Sequence, residues 1–351
     1  MGSVFAFNIG GGIQGSQSKF HEIETYIDKY YLNDYENEAL KDGAYKGMVS
    51  ALDDPYSQYM NKDEFEQYMT SSMGEYSGVG ITFSADEDGN YVVISISKDS
   101  PAEKAGVEPG DFIISVDGKT YTDIDTMASN IRGPEGTKVT IEYTRNGKAK
   151  KVTMKRANIK QESVEYKMLD DETGYIQITQ FIDQTGEDFD SALKAVTKKG
   201  AKKLVLDLRD NGGGLVDESV DVADQFLDEG VVCYVEDKNG NSDTYVAKDG
   251  KTDLETVILV NGNSASASEI LAGALKDNGF KIIGEKTFGK GIIQSTFELE
   301  DGSGLKLTIM QYLSPDKHVI HKKGIKPDVK VKNNEKTDTD EPLEKAKELL
   351  K

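Results

Sequence analysis

The run Thr256-Val-Ile-Leu-Val260 passes through Asn261-Gly262-Asn263 into Ser264-Ala265-Ser266-Ala267-Ser268, and then into Glu269-Ile270. A short apolar run rich in branched residues reads as a buried strand, the small residues as a tight turn, and Ser268 to Lys276 as a helix opening. The same alternation recurs from about residue 160. Strands are predicted at Thr173–Thr179, Lys203–Leu208 and Lys281–Ile283, and helices over 186–198 and 216–227. Strands interleaved with helices make this part an α/β layer structure.

A serine in the Ser/Ala turn sits at a helix N-terminus. Unpaired backbone N–H groups and the positive end of the helix dipole can there stabilise the oxyanion formed when a hydroxyl attacks a carbonyl. The hydroxyl needs a partner to take its proton. Of three histidines, His21 lies in a charged N-terminal helix, while His318 and His321 flank an apolar pair late in the chain. Lys290, between Gly289 and Gly291 after the strand at Lys281–Ile283, is the better base. Lowering a lysine by roughly 3 units from ~10.4 costs about 4 kcal/mol, which burial must supply.

Taken singly, a Ser/Ala run is an ordinary helix cap and a lysine between glycines an ordinary loop residue. Their order and shared strand–turn–helix context make the pair specific. Two nucleotide readings of the glycines fail. Gly284-Glu-Lys-Thr-Phe-Gly289-Lys290-Gly291 lacks the Ser/Thr that a phosphate loop needs for magnesium, and Gly10-Gly-Gly12-Ile-Gln-Gly15 lacks the preceding strand and following helix of a dinucleotide fold.

The sequence resembles the tail-specific, or C-terminal processing, peptidases, serine endopeptidases with a Ser-Lys dyad. Ser264-Ala-Ser-Ala-Ser-Glu269 matches their hallmark, and so does Thr287-Phe-Gly-Lys-Gly291. The resemblance implies Ser266 as nucleophile, Lys290 as general base and Gln294 as the group orienting the lysine. It also implies an oxyanion hole from the amides of Gly213, in Asp210-Asn-Gly-Gly-Gly214, and Ala267. Two departures stand out. Gly212 replaces a common proline, which should loosen that turn, and the 24-residue interval from Ser266 to Lys290 is one shorter than is common.

Residues 75–157 differ in character. Predicted strands (Val79–Phe83, Tyr91–Ile96, Phe112–Val116, Lys138–Tyr143, Lys151–Met154) surround helices at Ser100–Ala105 and Ile124–Ile131, which resembles a PDZ domain. Gly78, Val79, Gly80 and Ile81 match its carboxylate-binding loop, where a peptide C-terminus docks as an added strand. Arg132 stands where the family carries an arginine coupling PDZ to protease.

The expected fold is therefore multidomain, α/β with α+β. It comprises an N-terminal helical segment (18–74) that in the family can mediate homodimerisation, the PDZ domain (75–157), a crotonase-like protease core (158–334), and a charged linker with a C-terminal helix (335–351). The expected activity is cleavage of polypeptides selected by their C-terminal segment, gated by the PDZ domain, with inhibition at rest favoured over delivery. The alternative, a non-catalytic PDZ adaptor on a degenerate protease fold, is disfavoured because Ser266, Lys290 and Gln294 all persist.

Composition excludes several partners. A formal charge of −20 over 351 residues argues against nucleic acid, whose phosphates need clustered Lys/Arg. The single cysteine, Cys233, excludes an internal disulfide and CxxC metal sites, and neither a metal nor a cofactor is expected. No run approaches the ~18–20 apolar residues of a membrane span. Met1-Gly-Ser3 before Val4-Phe-Ala-Phe-Asn-Ile-Gly10 has the character of an added start. Upstream signals or membrane anchors are common in the resembled family, and that resemblance implies an extracytoplasmic location.

Overall fold

The computed structural model describes residues 16–351 apart from 73–74, 87–88, 249, 335–336 and 338. The Gly10–Gly15 glycines, the Val4–Gly10 segment and part of the charged linker lie outside these described residues. The chain divides into two compact units, residues 1–59 and 60–351.

The first unit carries helices α1 (Ser16–Tyr30) and α2 (Asn37–Ser50), as the helical spacing predicts. Helix α2 ends before Asp54, whose carboxylate accepts the Tyr56 amide at 3.1 Å and the Ser57 hydroxyl at 2.6 Å. That local turn competes with continued helix. Strand β1 (Gln58–Met60) spans the boundary.

The second unit opens with α3 (Lys62–Ser72), started by a reciprocal cap. Asn61 Oδ1 accepts the Glu64 amide and Glu64 Oε2 the Asn61 amide, both at 3.0 Å. Strand β2 (Glu75–Gly78) then enters a five-stranded antiparallel sheet in the order β3 (Ile81–Ala85), β4 (Tyr91–Ile96), β5 (Phe112–Val116), β6 (Lys138–Arg145), β7 (Lys148–Lys155). Helix α4 (Pro101–Lys104) follows β4, and α5 (Ile124–Ile131) follows β5. Alternate residues Ile113, Val139, Ile141 and Tyr143 point inward onto Met127 and Ile131 of α5. The sheet begins at Ile81, two residues later than the predicted Val79, because Gly80 at φ 77° turns the chain before pairing starts. The chain leaves through β8 (Ala157–Lys160), which pairs antiparallel with β2 as a two-stranded ribbon.

The remainder holds a six-stranded sheet: β9 (Val164–Met168), β10 (Thr173–Ile178), β11 (Lys203–Asp207), β14 (Glu255–Val260), β15 (Lys281–Gly284) and β18 (Val329–Lys330). All neighbours are parallel except β9 and β10. Both faces are covered, which explains why its strands read as unbroken apolar runs. Ile176, Leu204, Leu206, Ile258 and Ile282 face α6 (Thr185–Lys198), α7 (Val216–Asp224) and α8 (Ala267–Asp277). Tyr175, Val205, Val257, Leu259 and Ile283 face α9 (Glu341–Leu349) through Ala346 and Leu350. Truncating one of these fully buried leucines or isoleucines to alanine costs about 2–5 kcal/mol.

A second sheet was not foreseen from the sequence. Strands β12 (Gly230–Asp237), β13 (Ser242–Ala247), β16 (Ile292–Glu298) and β17 (Gly304–Leu313) run antiparallel in the order β16–β17–β12–β13. Cys233 lies in its buried face, where desolvation pushes the thiol up to about 12 and leaves it inert.

Candidate active site

Parallel strands deliver their loops to one end of a sheet, and three such loops meet here. The first is the turn from β14 into α8. Ser266 occupies the N-cap of α8 at φ 55°, ψ −117°, a conformation that a residue with a side chain adopts only when its surroundings impose it. The flanking hydroxyls impose it. Ser264 Oγ donates to Leu208 O at 2.8 Å, and Ser268 Oγ donates to Asn211 O at 2.9 Å. Both serines are fully buried, whereas Ser266 between them is only partly covered. The outer serines pin the turn, and the middle one stays partly exposed.

The second loop follows β11. Asn211 is fully buried and stitches this loop to its neighbours. Its carbonyl accepts the Ala265 amide at 3.0 Å, and its side-chain nitrogen donates to Ile178 O at 2.9 Å. Gly213, at φ 101°, lies so close to the serine turn that a Cβ there would stand 2.7 Å from Ser266 Cβ and 2.9 Å from Ala267 N. Only glycine fits. Ala267 is the first residue of α8, so its amide has no acceptor within the helix. The Gly213 amide lies beside it but donates to Asn211 Oδ1 at 2.9 Å. One expected oxyanion donor is thus presented, and the other is held by its own loop.

The third loop follows β15 and carries Lys290, partly buried. Glu269, fully buried on the first turn of α8, joins this loop to the serine turn. Its Oε2 accepts the Ser266 amide at 3.0 Å and the Lys290 amide at 2.7 Å. Its Oε1 accepts the Gly289 amide at 2.8 Å and the Thr287 hydroxyl at 2.5 Å. The Phe288 amide donates to Ser264 O at 3.0 Å. Opposite Glu269, the buried Tyr312 of β17 brings its hydroxyl to Ser266 O at 2.9 Å and to Lys290 O. Burial, reinforced by the charge of Glu269, holds the Tyr312 phenol well above its ordinary range, so it stays a proton donor.

These contacts also dispose of the phosphate-loop reading. The amides of Gly289 and Lys290, which would have to cradle phosphate, are given to a buried carboxylate. Gly291 is equally committed, since a Cβ there would stand 2.3 Å from His321 N.

Gln294, on β16, donates its side-chain amide to Thr308 Oγ1 at 3.1 Å across the β16–β17 pair. In this conformation that donor is directed to β17. Gly78 closes β2, Val79 and Gly80 link it to β3, and Ile81 opens β3, the outermost strand of its sheet. Arg132, the exposed C-cap of α5, places its guanidinium 5.5 Å from the Tyr76 ring centre on the β2–β8 ribbon. Glu269, Asn211 and Tyr312 were not singled out from the sequence. Only Glu269 carried a signal, the Ser-x-x-Glu spacing of a capping box.

The chain is similar to known proteins over most of its length. Residues 172–331 match the family described as Peptidase family S41, residues 77–155 match a PDZ domain, and residues 11–64 match the Activating protease CtpB N-terminal domain. The chain is 40% identical over 318 residues to the carboxy-terminal processing protease CtpA of Bacillus subtilis, covering 89% of this chain and 68% of that protein. It is 41% identical over 321 residues to a probable CtpA-like serine protease of Staphylococcus saprophyticus, covering 89% of this chain and 65% of that protein. The chain thus spans about two thirds of the length of these relatives. The solved structure of a photosystem II D1 C-terminal processing protease superposes with a TM-score of 0.55 at 31% identity, covering 90% of this chain and 87% of that one. With the fold, the three motif loops and these likenesses in agreement, the chain belongs to peptidase family S41, the C-terminal processing peptidases with an inserted PDZ domain.

Proposed function

We propose that this chain is a serine endopeptidase that cleaves polypeptides chosen by their C-terminal segment. The observation that carries the reading is the convergence of the Ser266 and Lys290 turns on the two buried groups Glu269 and Tyr312. In the proposed mechanism the neutral amine of Lys290 takes the Ser266 proton as Oγ attacks the scissile carbonyl. The Ala267 amide receives the developing oxyanion at the helix N-terminus. The Gly213 amide joins once it turns from Asn211 Oδ1 to the oxyanion. The protonated lysine then returns its proton to the leaving amine, and water hydrolyses the acyl-enzyme with Lys290 again as base. Gln294 keeps its amide nitrogen on Thr308 and offers its carbonyl oxygen as the acceptor that orients the lysine N–H groups.

The PDZ domain supplies selection and gating in this reading. Its outermost strand β3 offers a free edge beside the Gly78–Ile81 loop, suited to a peptide that adds as a strand and presents its carboxylate to the loop amides. Arg132 lies against the ribbon that joins the PDZ domain to the core, a place from which ligand binding can be passed on. The half-engaged oxyanion hole accords with a protease inhibited at rest. We place the PDZ domain at 75–157, the protease core at 158–334 and the tail at 335–351. In the family the segment corresponding to 18–74 can mediate dimerisation, and we extend that role and an extracytoplasmic location to this protein. The test is cleavage of an unfolded protein by the wild type and by Ser266→Ala, with and without a chelator. Chelator-resistant cleavage abolished by the substitution supports the reading, and cleavage retained by Ser266→Ala refutes it.

A further inference from the structure

We propose that Glu269 and Tyr312 are positioning residues that hold the backbone of the catalytic base against the turn of the nucleophile, one on each side. This rests on the assignment of Ser266 and Lys290 above. The two partners act on opposite poles of the same residue. Glu269 Oε2 takes the Lys290 N–H at 2.7 Å, and the Tyr312 hydroxyl reaches the Lys290 carbonyl. The same two groups reach the Ser266 N–H at 3.0 Å and the Ser266 carbonyl at 2.9 Å.

Proton counting separates the two carbonyls. A phenol has one proton to give. The Ser266 carbonyl is already occupied, accepting the Glu269 amide at 2.7 Å and the Ile270 amide at 3.0 Å as α8 begins. The Tyr312 proton is therefore bifurcated, given chiefly to the Lys290 carbonyl and shared with the Ser266 carbonyl at 2.9 Å. Tyr312 is itself fixed, since its amide donates to Gly291 O at 3.1 Å and its ring is buried. Glu269 is fixed by Thr287, whose hydroxyl donates to it at 2.5 Å while accepting the Ile325 amide at 2.6 Å.

The consequence is chemical as well as geometric. A base on a glycine-flanked loop has a mobile backbone unless something pins it, and a misplacement of about 1 Å can cost a hundredfold in rate. Loss of the pin also lets water reach the lysine, which favours its charged form. A positioning role therefore changes both the rate and the pH at which the base works. A merely structural role changes neither.

The experiment compares the wild type with Tyr312→Phe, which keeps the ring and removes the hydroxyl. Melting temperature, kcat and KM on a peptide substrate are measured from pH 5 to 9, together with the rate at which a fluorophosphonate labels Ser266. The inference predicts a folded variant with unchanged KM, a kcat lowered tenfold or more, a parallel fall in labelling, and the acid limb of the profile moved to higher pH. Wild-type kcat with an unmoved limb overturns it. If Tyr312→Phe does not fold, Glu269→Asp provides the same test, because the shorter carboxylate cannot reach both turns. A folded Glu269→Asp protein with wild-type rate and limb is equally fatal to the inference. Ser266→Ala run alongside separates the two levels: if it still cleaves, the dyad assignment fails and the positioning inference with it. If Ser266→Ala is dead while the positioning variants behave as wild type, only the positioning inference fails.

Discussion

The Gly213 amide donates to Asn211 Oδ1 at 2.9 Å, so one of the two proposed oxyanion donors is held by a side chain two residues away. Turning it to the oxyanion requires only a local change in a glycine-rich loop. The acceptor strength of residue 211 then sets the equilibrium. Asn211→Asp, where ionised, binds the amide more strongly and repels a neighbouring oxyanion, while losing the hydrogen bond to Ile178 O and with it some stability. Removing one oxyanion donor typically costs 10²–10³ in kcat, and this variant should approach that loss with KM little changed. Steady-state kinetics on a short peptide check it, and an unaltered kcat would show that Gly213 is not a donor.

The C-terminal helix is held by charge at its own N-terminus. Arg209, at the end of β11, reaches Asp340 at 2.7 and 2.8 Å and Asp207 at 2.6 Å. Burial of Asp340 opposes ionisation, but Arg209 and the Leu343 amide outweigh it and leave its carboxyl below the usual 3.8. A group with a depressed folded-state pKa contributes stability above its unfolded value and loses it as pH falls through the folded one. Docking of α9 should therefore be complete above about pH 4 and weaken below it. Limited proteolysis of the C-terminus across this range checks the expectation. Arg209→Ala, which strands the buried Asp207, should lower stability by about 3–5 kcal/mol at neutral pH.

If the loop at Gly78–Ile81 receives a free carboxylate, a substrate with an amidated C-terminus should be cut more slowly than its free-acid twin. Arg132→Ala should reduce that difference by uncoupling the ribbon. A ligand shifts a two-state equilibrium only through its differential affinity for the two states. Deleting 77–157 separates the alternatives. Raised basal cleavage of both long and short substrates supports inhibition at rest, and loss confined to long substrates supports delivery. Equal cleavage of acid and amide, with no effect of the deletion, removes the gating proposal.

The layers of this fold were unevenly legible in the sequence. Strands such as Tyr91–Ile96 and Phe112–Val116, and the helix Ile124–Ile131, lie where the apolar pattern puts them, because burial on one or two faces imprints a period. Two strands of the second sheet left a weaker imprint. Strands like Ser242–Ala247 and Ile292–Glu298 are half-exposed and mix Asp, Ser, Gln and Glu with apolar residues. In the site, motif spacing identified Ser266 and Lys290, but choosing among three serines rested on resemblance. In the structure Ser264 and Ser268 spend their hydroxyls on backbone carbonyls, an observation consistent with the proposed choice of Ser266. Tyr312 could not have been found, because it reaches Ser266 from 46 residues along the chain on a strand whose own pattern is unremarkable.

The central claim is that Ser266 attacks and Lys290 takes its proton, and cleavage of an unfolded protein by Lys290→Arg tests it most directly. Arginine keeps the positive charge and the hydrogen-bonding capacity but cannot be deprotonated in a protein. The account predicts no cleavage by folded Lys290→Arg, Lys290→Ala or Ser266→Ala, with the double alanine variant no worse than either single one. It also predicts wild-type activity that rises from pH 5 toward 9 as the free amine becomes populated. Turnover by folded Lys290→Arg, or a wild-type profile flat over that range, would contradict it.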